Sequence, residues 1–307
     1  LSRERQKKNP TKKDLLYYFK NGSWIDHIVD YNSALMIRIQ RLLYKISLSL
    51  ILGLLTLPTY GQLNMGAKGL GMGQATTALP GYDWSLFSNP ALANNEQIAV
   101  GFYGIRNYGF AELTDMSAIS TIPTKFGVTS LGFHRYGDKL FSETRARLGY
   151  KNEWRLLHFG VALNYSHISF GEDYGAGGAI GVDIGIAAEI TESLWVGAKS
   201  TNLNQPGYQG IREDLPREVA IGFSYGLNEL ALLAFDVVKD VNFPVSYRGG
   251  LEVKIIENLK GRVGLSTEPL TYSLGFGYGN NSWDINFAVQ QHQELGLSPG
   301  LDFMLFF

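Results

Sequence analysis

Across 307 residues the chain carries no cysteine, 18% charged residues and a formal net charge of −1. A disulfide framework and thiol chemistry are thereby excluded. The part after Gly61 is net acidic, which argues against nucleic acid as a partner.

Residues 1–35 are polar and basic, show no apolar period and precede Met36. They are expected to be an upstream extension outside the fold. Residues 36–61 have the order of a secretory signal. Arg38, Arg41 and Lys45 supply the positive start, and Ile46 to Leu57 the apolar centre. That run falls short of the ~20 residues of a membrane-spanning helix. Thr59-Tyr60-Gly61 places small residues at a cleavage site before Gln62. A buried apolar helix is the competing reading of Ile46 to Leu57.

Residues 62–96 begin with the glycine-rich run from Met65 to Gly73. A phosphate-binding loop would need a strand before it and a helix after it, in a βαβ unit. Neither surrounds this run, so the glycines read as permitting tight bends and close packing.

From residue 97 to Phe307 the chain is a succession of short alternating runs, about fourteen in all. They are expected near 97–105, 113–122, 127–136, 141–151, 156–169, 178–190, 194–202, 216–227, 229–239, 245–256, 259–266, 270–279, 283–291 and 300–307. In the sixth, Ile180, Val182, Ile184 and Ile186 alternate with Gly181, Asp183 and Gly185. Charge thus shares a face with Gly and Ala, which fits a wet interior better than the outer face of a sandwich. The final run, Leu301, Phe303, Leu305 and Phe307, is an apolar strand that would make a poor free edge. The fold class is therefore all-β: a transmembrane antiparallel β-barrel of about fourteen strands, surrounded by outer-membrane lipid.

The connections agree with this reading. Short ones at 123–126, 152–155, 191–193, 228, 257–258 and 280–282 alternate with longer ones at 106–112, 170–177, 201–215, 240–244 and 291–299. Barrels of this kind have short periplasmic turns and longer extracellular loops. The connections at 137–140 and 267–269 are short for the outside. Tyr150, Trp154, Tyr165, Trp195, Tyr225, Tyr272, Tyr278 and Trp283 lie near strand ends, where aromatic rings suit the membrane interface.

The inferred interior gathers Arg145, Arg147, Asp183, Glu189, Arg248, Glu252, Lys254 and Arg262; Arg248, Glu252 and Lys254 on one strand and Lys260 and Arg262 on the next make a basic cluster. Such charges must be paired or hydrated. They read as an ion-pair network closing a narrow interior, or as a lining selective for an anionic solute. His167 beside Ser166 and Ser169 invites a hydrolase reading. Neighbours on one strand point to opposite faces, however, and neither a partner acid nor a nucleophile elbow is present. No histidine pair has metal-ligand spacing, so no enzyme, metal or cofactor is expected. The longest connection, 201–215, holds Tyr208 and Ile211 without a sheet face to occupy. These two are the expected contact points for a protein partner.

Gly66, Gly69, Gly71 and Gly73, followed by Asn89-Pro90-Ala91, resemble the start of the FadL-like outer-membrane barrels, within them the PorV/PorQ group associated with type IX secretion. The resemblance implies that residues 62–96 form a small hatch entering the barrel and that Asn89 to Ala91 lead toward the first strand. The terminal aromatic also resembles the signal read by barrel-assembly machinery. The resemblance implies an accessory role, binding protein partners in secretion or outer-membrane assembly. The alternative is a FadL-like transport channel for a hydrophobic or amphipathic ligand.

Overall fold

The computed structural model describes residues 64–171, 175–210 and 214–307. The extension at 1–35, the signal at 36–61 and Ile211 lie outside the described residues. Among the described residues no helix is long and apolar enough to cross a membrane. The crossing is made by strands instead.

Fourteen antiparallel strands form a closed barrel in chain order, with β1 (Ala99–Arg106) hydrogen-bonded to β14 (Gly296–Phe306). The closing register pairs Ala99 with Phe306 and Ile105 with Gly300. Closure leaves neither the first nor the last strand as a free edge inside a medium that offers no hydrogen bonds. The strands between are β2 (Thr114–Thr124), β3 (Gly127–Gly137), β4 (Phe141–Trp154), β5 (Leu157–Phe170), β6 (Ala176–Thr191) and β7 (Leu194–Thr201). They continue with β8 (Glu218–Leu227), β9 (Ala231–Asp240), β10 (Val245–Ile256), β11 (Leu259–Thr267), β12 (Leu270–Gly279) and β13 (Trp283–His292).

Period-two patterning decides which way each side chain points. On β5, Phe159, Val161, Leu163 and Tyr165 face outward, whereas Ala162, Asn164 and Ser166 are buried. Outward apolar side chains recur around the wall, among them Phe102, Ile184, Ile221, Leu274 and Phe287. These are the side chains that lipid covers. Of the expected interface aromatics, Tyr150, Trp154, Tyr165, Tyr225, Tyr272 and Tyr278 are exposed. Trp195 differs. Its ring turns inward and lies 4.9 Å from the His158 ring. It shares the face of Lys199, two pleats along the same strand, which is buried in the interior.

One end of the barrel carries only tight turns: 125–126, 155–156, 192–193, 228–230, 257–258 and 280–282. Asn228 takes a positive φ of 64°, a conformation Asn tolerates better than most residues. The other end carries 107–113, 138–140, 171–175, 202–217, 241–244, 268–269 and 293–295. The loop expected at 291–299 is mostly strand. β14 starts at Gly296, and Pro299 pairs with Val289 of β13. Proline is tolerated there because the ladder to β1 has already ended at Gly300.

Candidate functional site

The interior of the barrel is filled by the chain's own segment from Asn64 to Asn95. It contains a short helix, α1 (Ala67–Gly71), and two 3-10 turns, Ser85–Phe87 and Pro90–Leu92. Met65, Leu70, Met72, Leu79, Tyr82, Trp84, Leu86 and Phe87 form one apolar cluster with Tyr103, Ile105, Ile119 and Met304 of the wall. The Trp84 and Tyr103 rings lie 5.7 Å apart. Burial raises the Tyr82 phenol well above its usual pKa, with Asp302 and Asp83 adding to the effect. Its hydroxyl donates to the Met65 carbonyl, folding the segment back on itself.

Gly71 and Gly73 stand where the plug touches the wall, whereas Gly66 and Gly69 stand where the plug folds against itself. A Cβ on Gly73, whose φ is +62°, would meet the Leu265 and Gly249 backbones. On the wall side, a Cβ at Gly264 would meet the Gly73 nitrogen. Gly71 sits against Arg262 and Gly275, Gly69 against Tyr82, and Gly66 against Trp84. Asn89 caps its own turn, accepting from the Ala91 N–H at 3.1 Å. Its amide donates to the Thr77 carbonyl at 2.7 Å and to the Ile186 carbonyl of β6 at 3.2 Å. Pro90 and Ala91 lie against Gly160 of β5, where any Cβ would collide with them.

Polar side chains of the wall hold the plug by its backbone. Asp236 Oδ2 accepts from the Thr76 and Thr77 N–H groups at 2.8 and 2.9 Å. Asp302 Oδ2 accepts from Ala67 N–H at 2.6 Å. In the opposite sense, Ser224 donates to the Ala78 carbonyl at 2.6 Å, Arg147 to Leu86 at 3.1 Å and Lys151 to Ala93 at 2.9 Å.

The interior charges are mostly paired. Arg145 meets Glu143 at 2.5 Å, Arg147 meets Asp183 at 3.4 Å, and Glu218 lies 2.9 Å from Lys199 and 3.6 Å from Arg248. Arg262 binds Glu252 at 2.6 Å and also donates to Asn286, which donates to Asp302 at 2.8 Å. The supposed basic cluster therefore contains its own counter-ion: register sets Glu252 directly opposite Arg262. Glu189 is half-buried and Lys254 exposed. His167 and Ser166 lie on opposite faces of β5, with only Ser166 buried. Among the described residues no group of three or more His, Cys, Asp or Glu could hold a metal ion.

Over the mouth, residues 202–210 and 214–217 fold back instead of projecting. Tyr208 packs with Ile168, Ala179 and Leu215, and its hydroxyl donates to Glu143 at 3.1 Å. Burial and the Glu143 carboxylate raise its phenol pKa. The ground for reading Tyr208 as a docking residue does not hold, because it does have a face to occupy: the inner rim. The loop also completes the wall. β7 reaches β6 only as far as Ile184, leaving Ala176 to Asp183 without a strand on that side. There Leu203 N–H donates to the Val182 carbonyl, and Asn204 Oδ1 accepts from Val182 N–H. The Asn204 amide then donates to the Ile180 carbonyl at 2.9 Å, so one side chain replaces a strand partner.

No protein-family model matches the chain, and no curated protein matches it. Solved structures do. The CymD monoaromatic hydrocarbon channel superposes with a TM-score of 0.64 at 12% identity, over 81% of this chain and 99% of that one. The Ralstonia pickettii toluene transporter TbuX gives 0.61 at 11%, over 80% and 99%. The Pseudomonas putida toluene transporter TodX gives 0.57 at 13%, over 80% and 98%. Identities this low establish the fold. The protein is a closed β-barrel of the bacterial outer membrane. Its fold is the one these channels share, in line with the FadL-like part of the resemblance. The finer placement in the PorV/PorQ group finds no support among these neighbours. The accessory role in secretion drawn from it is overturned, since the structures sharing this fold are hydrocarbon channels and toluene transporters.

Proposed function

We propose that the protein is a channel that carries hydrophobic or amphipathic small molecules across the outer membrane. The observation that carries this reading is the likeness over four-fifths of the chain to channels for monoaromatic hydrocarbons and toluene. A freely open porin fits less well, because the plug and its ion pairs occupy the interior. Passage then requires the plug to shift. Its tethers to Asp236 and Asp302 are hydrogen bonds that can break and re-form without unfolding the wall.

Uptake of radiolabelled toluene and of a long-chain fatty acid by cells producing the full chain tests the proposal. Both are compared with cells producing no barrel and with cells producing a variant whose plug is locked by an engineered disulfide to the wall. Faster uptake of either compound, lost on locking and restored on reduction, is the expected result. Equal uptake by all three, with the barrel present in the membrane, refutes transport of these classes.

A further inference from the structure

The tight turns at 125–126 and 155–156 differ from the rest of their end of the barrel. Lys125 and Arg155 are the only cations in the six tight turns. The turns at 192–193, 228–230 and 257–258 each carry a glutamate, and 280–282 carries no charge. The two cations are neighbours around the rim. β3 leaves the first turn, β4 enters the second, and the two strands pair as far as Val128 and Lys151. Adjacent strands lie about 4.8 Å apart, so two long basic side chains there can reach one group.

Each cation stands over an aromatic ring. Lys125 Nζ lies 4.9 Å from the centre of the Phe126 ring, and the Arg155 guanidinium 5.3 Å from that of Trp154. Phe126 and Trp154 are 72% and 63% exposed, and Trp154 is in phase with outward Leu148 and Tyr150. The Tyr150 hydroxyl and the Asn152 amide both donate to the Phe126 carbonyl, which fixes the first turn against the outer face of β4. Rings at this depth bury their bodies among acyl chains and leave the cations level with the headgroups. Among the described residues neither cation has a carboxylate within ion-pair distance. Glu153, the acidic residue between them in sequence, is engaged inward, 3.7 Å from Lys151 and 3.4 Å from His158.

We infer that this corner of the rim binds one phospholipid of the periplasm-facing leaflet, whose headgroup is a phosphodiester without a cation of its own. The phosphate lies between Lys125 and Arg155, and an acyl chain runs along Phe126, Tyr150 and Leu148. Arginine offers paired N–H donors and lysine a point charge to the same oxygens. A headgroup ammonium is repelled by both cations and meets carboxylates only at other turns. The site does not depend on the transport reading.

Trp283 supplies an internal control. It lies at the same end, in phase with outward Ile285, beside the uncharged turn 280–282. The full chain is folded into phosphatidylcholine vesicles containing rising fractions of one lipid with brominated chains, which quench tryptophan fluorescence on contact. Trp283→Phe leaves Trp154 as the lipid-facing reporter, and Trp154→Phe leaves Trp283; the other three tryptophans are common to both. At Trp154, brominated phosphatidylglycerol is expected to reach half of its full quenching at about tenfold lower fraction than brominated phosphatidylcholine. A cation near a membrane surface is worth about fivefold, and each of these two spends part of its field on its own ring. Brominated phosphatidylethanolamine, whose phosphate carries an ammonium, should match phosphatidylcholine. At Trp283 the three lipids should quench alike. Adding Lys125→Gln and Arg155→Gln to the Trp154 reporter should erase the preference. Should that combination fail to fold, as judged by heat-dependent migration, 1 M salt on the unaltered turns shortens the Debye length to about 3 Å and should reduce the preference at least threefold. Quenching at Trp154 that does not distinguish the headgroups overturns the assignment. So does a preference that survives the double substitution or the salt, one equally strong at Trp283, or phosphatidylethanolamine quenching like phosphatidylglycerol.

Discussion

Asp236→Ala is the sharpest perturbation of the plug. One carboxylate oxygen receives two backbone donors, Thr76 N–H and Thr77 N–H. Both threonines are essentially inaccessible, at 0% and 1% exposure. Hydrogen bonds to a charged group contribute about 1.5–3 kcal/mol each. Their simple sum overstates the loss, because the vacated space admits water that satisfies one donor in part. A net cost of about 3 kcal/mol is therefore expected, equivalent to a roughly hundredfold rise in local opening. Ser224, Arg147, Lys151 and Asp302 still hold the plug, so the barrel itself should assemble normally. Hydrogen exchange read by mass spectrometry should show faster exchange across residues 74–80, with peptides from β5 and β12 unchanged. Asp236→Asn keeps a carbonyl acceptor and should fall between the two. A change of less than about threefold at the Thr76 and Thr77 amides would refute the tether.

Three further outcomes are expected. Ile184→Arg should sharply reduce the amount of assembled barrel in membranes, since an outward Arg near mid-wall costs about 2–4 kcal/mol. Asp183→Asn, one residue away but inward, keeps an acceptor for Asn202 N–H and should assemble normally; equal yields would mean the facing is wrong. Tyr208→Phe removes the hydrogen bond to Glu143 and should raise proteolysis of intact cells within 202–217 about fivefold, corresponding to about 1 kcal/mol of lost closure. Unchanged cleavage would show that the Tyr208 hydroxyl does not hold the mouth. Gly264→Val puts a side chain where the Gly73 backbone must pass and should displace the plug, seen as raised single-channel conductance in planar bilayers. Conductance equal to that of the unaltered barrel would place the Gly73 contact elsewhere.

The wall was legible in the sequence because lipid outside and water or plug inside impose a strict period of two. Ile180, Ile184 and Ile186 against Gly181, Asp183 and Gly185 announce that strand without any tertiary knowledge. Misjudgements arose where position along the strand was used in place of parity. Trp195 was assigned to the membrane interface because it lies near a strand end, yet it alternates with outward Val196 and is in phase with inward Lys199. The connection at 291–299 was drawn too long and the last strand too short, although a strand paired on one side only accommodates Pro299. The Glu252–Arg262 pair follows from register, which single-strand patterns do not contain. Asn204 standing in for a strand was beyond reach for the same reason, since its role depends on where β7 stops.

The plug poses the opposite case, and its composition follows from how it is held. Five of the tethers described run from a wall side chain to a plug backbone group: carboxylates of Asp236 and Asp302 to N–H groups, and Ser224, Arg147 and Lys151 to carbonyls; only Asn89, donating to the Ile186 carbonyl, runs the other way among them. The plug therefore needs no polar side chains of its own for these contacts. From Asn64 to Asn95 it carries only Lys68 and Asp83 as charged residues. Backbone groups can meet the wall only where side chains are small on both sides, as at Gly73 against Gly264. A glycine-rich segment with few charges is thus what a charged wall selects for. Its sequence shows little periodicity because the specificity of the contact is written in the strands.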